Sequence, residues 1–189
     1  MKILLLDNYD SFTFNLLHYV EQVNNVEVNV FRNDEIRMEE INSYDSIILS
    51  PGPGLPKDAG ILLELIKRYS ATKKILGVCL GMQAIAEAFG GTLKNLKEVQ
   101  HGISKSTFIT DVNEILYKNL PTEMKCGRYH SYVVDESTLP SCLKVTARDE
   151  EKNIMSLQHV TYNVCGVQFH PESILTEHGL QMIKNWVES

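Results

Sequence analysis

Continuous apolar runs alternate with helically spaced ones through the first half of this chain, and that alternation limits its possible folds. "KILLLD" (2–7), "SIILS" (46–50) and "KILGVC" (74–79) are apolar almost without interruption, the pattern of strands covered on both faces. "VEVNVF" (26–31) alternates with period two. Amphipathic segments lie between. In "SFTFNLLHYVEQV", Phe12, Leu16, Tyr19, Val20 and Val23 fall at helical spacing, with Ser11 expected as the cap. Asp58 is expected to cap a second helix whose Ile61, Leu62, Leu65, Ile66 and Tyr69 face inward while Glu64, Lys67 and Arg68 face water. A third helix follows the strand at 74–79, running through Met82, Ile85, Ala86 and Phe89 to a stop at Gly90-Gly91. Strand feeding helix feeding strand builds a parallel sheet with helices on both faces.

The second half reads differently. "ISKSTFI", "SYVVDE", "LKVTAR", "IMSLQH" and "VCGVQF" follow one another as short strand candidates, with a final helix at about 176–188 presenting Leu180, Ile183, Trp186 and Val187. The expectation is an α/β fold: a flavodoxin-like open mixed, mostly parallel sheet with short antiparallel additions in the C-terminal half. No linker or repeat interrupts it, so residues 1–189 are expected to form one domain. A formal charge of −6 argues against a phosphate-backbone partner. No run reaches the ~18 apolar residues of a membrane span, and "MKILLLDNYD" turns acidic too soon for a signal peptide. Cys79, Cys126, Cys142 and Cys165 include no CxxC pair, so they are expected to stay reduced, without zinc, in the cytoplasm.

Chemistry concentrates in three segments. "GVCLG" has the form of a nucleophile elbow with sulfur in place of serine oxygen. Gly77 and Gly81 permit a sharp strand-to-helix turn, and Cys79 at its apex stands above the carboxyl edge of the sheet, where open α/β folds bind ligands. The helix that follows turns its free N–H groups and positive end toward the thiol. Those N–H groups, Leu80 first, suit an oxyanion. Taken alone, Cys79 could equally be a small core residue in a glycine-bounded turn. The second segment, "FHPES", ends an apolar strand. Pro171 keeps His170 extended, so His170 and Glu172 can project together and the carboxylate can orient the ring. His130 in "GRYHSY" is the rival base; His18, His101, His159 and His178 lack such a carboxylate. The third segment, "LSPGPGLP" (49–56), is a stiff loop whose Gly52 and Gly54 leave backbone accessible, and it lacks the lysine of a phosphate loop.

Together "SPGPG", "GVCLGMQ" and "FHPES" resemble the class I (triad) glutamine amidotransferases, in that family's order and across essentially the whole chain. The resemblance implies hydrolysis of L-glutamine to glutamate and ammonia. Cys79 is then the nucleophile that forms a γ-glutamyl thioester, His170 the proton carrier and Glu172 its orienter. It further implies that the backbones of Gly52 and Leu80 form the oxyanion hole, with Pro53 and Gly54 beside it, that Gln83 binds substrate, and that Ser131 and Tyr132 hold the substrate's α-amino and carboxyl ends by backbone atoms. "DNYDSFTFNL" (7–16) and "GRYHS" (127–131) look like the amidotransferase subunits of anthranilate synthase and aminodeoxychorismate synthase. That implies a partner, the separate chorismate-using synthase subunit, with any magnesium on that partner and no cofactor or metal here. Anthranilate synthase is the first choice and aminodeoxychorismate synthase the runner-up. A stand-alone γ-glutamyl hydrolase and a catalytically dead binding module are the other classes. Phe12 is either a core residue of its helix or part of a surface the partner covers. Ile103, where many relatives carry lysine, and Tyr132, where leucine is common, depart from the pattern.

Overall fold

A computed structural model describes residues 1–189. Nine strands form one sheet: β1 (Lys2–Asp7), β2 (Glu27–Arg32), β3 (Ser46–Leu49), β4 (Lys74–Val78), β5 (Leu93–Ile109), β6 (Glu123–Val134), β7 (Leu143–Asp149), β8 (Ile154–His159) and β9 (Val164–Val167). Their order across the sheet is β2-β1-β3-β4-β9-β8-β7-β5-β6. The ladders from β2 to β9 are parallel and those from β9 to β6 antiparallel. This is the open mixed sheet expected, with an antiparallel arm longer than a few short additions.

Strand period two sorts the core. Ile3, Leu5, Ile48, Leu76 and Val78 face α1 (Thr13–Glu21) and α4 (Gly179–Val187), joining Leu16, Val20, Ile183 and Trp186 in one cluster. Leu4, Leu6, Ile47, Leu49 and Ile75 face the other way, joining Leu62, Leu65 and Ile66 of α2 (Leu62–Tyr69) and Ile85 of α3 (Leu80–Ala88). Truncating any of these leucines to alanine would cost about 2–5 kcal/mol. α3 stops as expected: Gly90, at φ 102°, and Gly91 donate to the Glu87 and Ala86 carbonyls at 3.0 and 2.9 Å, the paired bonds of a Schellman ending. No helix is long and apolar enough to cross a membrane.

Both helix caps differ from expectation. Phe12, not Ser11, occupies the N-cap of α1 and offers no side-chain bond. The turn is held instead by Asp10, which accepts from the Phe12 N–H at 2.8 Å, and by Asp7, which accepts from the Thr13 hydroxyl at 2.7 Å. Asp58 ends a short 3-10 turn (Pro56–Asp58), and α2 starts four residues later, after Ile61. β5 begins ten residues before "ISKSTFI", and β6 covers "EMKCGRYH" as well as the expected "SYVV". β5 pairs β6 across two register shifts, Asn95 to Gln100 and His101 to Ile103, which break any simple alternation.

Candidate active site

β4 ends at Val78 and α3 begins at Leu80, so Cys79 makes the turn by itself. Its φ of 51° and ψ of −102° lie outside the regions open to a side chain with a Cβ. Such strain persists where surroundings over-determine it. Here the Cys79 N–H donates to the Val167 carbonyl at 2.8 Å, and the Cys79 carbonyl accepts from the Gln83 N–H at 3.1 Å. The flanking glycines make the room: a Cβ on Gly77 would stand 2.5 Å from the Gly81 carbonyl carbon, and one on Gly81 2.5 Å from the Leu49 carbonyl oxygen.

β9 runs beside β4, pairing Val167 with Val78, and carries the chain three residues on to His170. The His170 N–H donates to the Gly127 carbonyl at 3.1 Å, and the Thr176 hydroxyl donates to the His170 carbonyl at 2.6 Å, which fixes the backbone from two sides. Nδ1 lies 2.7 Å from Glu172 Oε1, and both side chains are buried. Burial works against a charged ring, but the adjoining Cys79 sulfur and the Glu172 carboxylate outweigh it and lift the His170 pKa to about 10. Two aromatic rings meet the imidazole, Tyr129 at 4.8 Å and Phe12 at 5.2 Å between centroids. Phe12 is therefore neither a core residue nor a free surface group; it is half-buried packing against the histidine.

A cavity of about 490 Å³ opens over the thiol. Gly52, Pro53, Gly54, Cys79, Gln83, Ser131 and Tyr132 line it, together with Leu55, Asp58, Tyr129 and His130. Asp58 thus contributes a carboxylate to the wall where a helix cap was expected. His170, Glu172 and Leu80 are buried and form no part of that wall. As first residue of α3, Leu80 has a backbone N–H with no intrahelical acceptor. The glycine loop is anchored by Asn8, whose N–H donates to the Ser50 hydroxyl at 2.8 Å and whose amide donates to the Ser50 carbonyl at 2.9 Å. A Cβ on Gly52 would lie 2.6 Å from the Asn8 carbonyl oxygen, so loop and β1 end meet at backbone distance.

The rival base is poorly placed to take a proton. His130 has Nδ1 3.1 Å from the Tyr132 carbonyl, and burial with the nearby Arg128 pushes its pKa down to about 4. It is a neutral ring in the cavity wall. Two residues of the site carry no motif in the sequence. Asn8 is one; Gln168 is the other, wholly buried, with Nε2 3.5 Å from Cys79 Sγ and Oε1 3.1 Å from Gln83 Nε2. The one signal that could have found Gln168 is an amide inside an otherwise apolar run. No group of three His, Cys, Asp or Glu side chains is arranged to hold a metal ion.

The family model for glutamine amidotransferase class-I matches residues 4–189. The chain belongs to that family. Among relatives of this amidotransferase, the aminodeoxychorismate synthase component 2 of Escherichia coli is 44% identical over 187 residues, covering 98% of each chain. The anthranilate synthase component 2 of Pseudomonas aeruginosa is 43% identical over 192 residues, covering 98% of this chain and 94% of that one. A crystal structure described as a GMP synthase protein from Thermoplasma acidophilum superposes with a TM-score of 0.88 at 24% identity, covering 100% of this amidotransferase and 92% of that chain. That likeness speaks to the fold alone.

Proposed function

We propose that this amidotransferase is the glutaminase subunit of a chorismate-aminating synthase, first of all anthranilate synthase. The observation that carries the chemistry is a strained cysteine opening onto a cavity, beside a buried histidine held by a buried carboxylate. A histidine with a pKa of about 10 rests as imidazolium against the sulfur. The sulfur attacks the side-chain amide carbon of glutamine, with the N–H groups of Gly52 and Leu80 receiving the oxyanion. As the carbon–nitrogen bond breaks, His170 gives its proton to the departing nitrogen, and ammonia leaves behind a thioester. The acylated sulfur carries no charge, so one of the two partners that raise the His170 pKa is gone. The ring then takes a proton from water, which attacks the thioester and releases glutamate and the free sulfur. Glu172 orients the ring in both halves. Gln83, Ser131 and Tyr132 hold the amino-acid end of glutamine.

The synthase partner is supported by the names of the relatives and by the surface. Phe14 is 66% exposed and Ile174 98% exposed, apolar side chains two residues beyond Phe12 and Glu172. A partner seated there would press on the segments that hold His170, so docking is expected to raise glutaminase activity. The Escherichia coli relative favours aminodeoxychorismate synthase as the second reading. Product identity decides between them: with the co-purified synthase, glutamine, chorismate and magnesium, mass spectrometry is expected to find anthranilate. Aminodeoxychorismate would reassign the partner and leave the Cys79 chemistry in place. In the same assay Cys79→Ser is expected to abolish glutamine-dependent product while ammonia-dependent product persists. Joint loss of both would make Cys79 structural.

A further inference from the structure

Gln168 has no part in the reaction just described, yet its amide touches the nucleophile. An amide's oxygen and nitrogen are alike in shape, so contact alone does not say which end meets the sulfur. The direction is fixed from the far side. The Tyr132 backbone carbonyl can only accept, so the Gln83 atom 3.0 Å from it is the amide nitrogen. The second hydrogen of that nitrogen meets Gln168 Oε1 at 3.1 Å. Gln168 is thereby obliged to turn its N–H toward Cys79 Sγ, 3.5 Å away. β6, α3 and the end of β9 cooperate in setting one hydrogen-bond polarity.

A wholly buried amide is retained only if its groups are paired. Here the last pair is N–H to sulfur, a bond that strengthens when sulfur carries charge. We propose that Gln168 is a fourth catalytic residue, an amide that stabilises the Cys79 thiolate and aims it, with its own direction dictated by the Tyr132 carbonyl through Gln83. His170 moves the proton; Gln168 holds the sulfur where attack begins. The proposal rests on the glutaminase reading only for the reaction that the thiolate serves.

The test is alkylation of Cys79 in the isolated full chain by iodoacetamide across pH. Mass spectrometry of the Cys79 peptide keeps it apart from Cys126, Cys142 and Cys165. The other titratable groups around the sulfur are His170, and His130 and Asp58 in the cavity wall, and all remain in the variants. Gln168→Leu is expected to move the midpoint of the profile up by about one pH unit and to slow alkylation roughly tenfold below it. Gln168→Glu moves it further, because a carboxylate beside the sulfur repels its charge. Gln83→Leu moves it the same way by less, since the Gln168 amide survives but is free to turn. In glutamine turnover Gln168→Leu lowers kcat more than it raises KM. A wild-type midpoint in folded Gln168→Leu makes Gln168 a packing residue and overturns the proposal; if that variant does not fold, a wild-type midpoint in Gln168→Glu or Gln83→Leu does the same. Wild-type protein that hydrolyses glutamine while the variants keep its profile sinks Gln168 alone. Shifted profiles on a chain that does not hydrolyse glutamine sink the glutaminase reading alone.

Discussion

Histidines 130 and 170 stand at one site, and their neighbours send them in opposite directions. Burial acts on both, but His170 has a sulfur and a carboxylate beside it, whereas His130 has Arg128. One carries a proton to about pH 10 and the other gives it up above about pH 4. The unequal roles in the triad should appear in rates. His170→Asn removes the group that moves protons and is expected to slow thioester formation on the order of 10²–10⁴-fold. Glu172→Gln leaves a neutral hydrogen-bonding partner at the ring and should cost distinctly less, read by single-turnover trapping of the thioester. Equal losses would mean that Glu172 does more than orient. These residues were legible in the sequence because each stands at the end of an apolar strand beside glycine or proline. Gln168 and Asn8 were not, because nothing local distinguishes an amide that supports a site from one that faces water.

Elements followed the apolar pattern where burial was two-sided. β1, β3, β4 and β8 lie at or close to the bounds their runs implied, since every residue type there answers to one demand. β5 does not, because much of it is exposed and its register shifts twice, leaving no periodicity to read. Caps failed for a related reason: which oxygen reaches the first free N–H depends on how the loop enters, and Asp10 reaches it before Ser11. A different element-scale property lies in the turn Ile115–Tyr117, tied to α4 by Asn185, whose amide donates to the Leu116 and Lys118 carbonyls at 3.1 and 2.8 Å. Glu114 enters that turn 1% exposed, and burial pushes its pKa up to about 7. The unfolded chain ionises this carboxyl near pH 4.5, so between there and pH 7 the folded state binds more proton and loses stability as pH rises. Glu114→Gln removes that dependence. It is expected to exceed wild-type stability by about 1–3 kcal/mol at pH 8 and to match it near pH 4, measured by denaturant unfolding at both. A gap of the same size at both pH values would place the effect in packing instead.

At the scale of the molecule, the parallel half was legible as strand-helix alternation, and the antiparallel arm as strands without their order. That "GRYHS" would fold against "SPGPG" to close a cavity lay beyond reach, because the contact depends on an arm whose register the sequence does not display. The outer surface yields a further expectation. Ile174→Asp and Phe14→Asp alter side chains with little to pack against, so the free protein should keep its melting temperature while losing partner-enhanced glutamine turnover by tenfold or more. Unchanged enhancement would place the docking surface elsewhere. The adjacency of β4 and β9 has a consequence of its own. The sulfur and the imidazole, 91 positions apart in the chain, are spaced by a ladder between neighbouring strands, whereas the cavity wall belongs to the long excursion between them. Lengthening or reshaping that excursion alters which molecules gain admission, and leaves the reacting pair at its fixed separation. Reactivity and selectivity are thus separately adjustable, so one unchanged engine can be refitted for different clients.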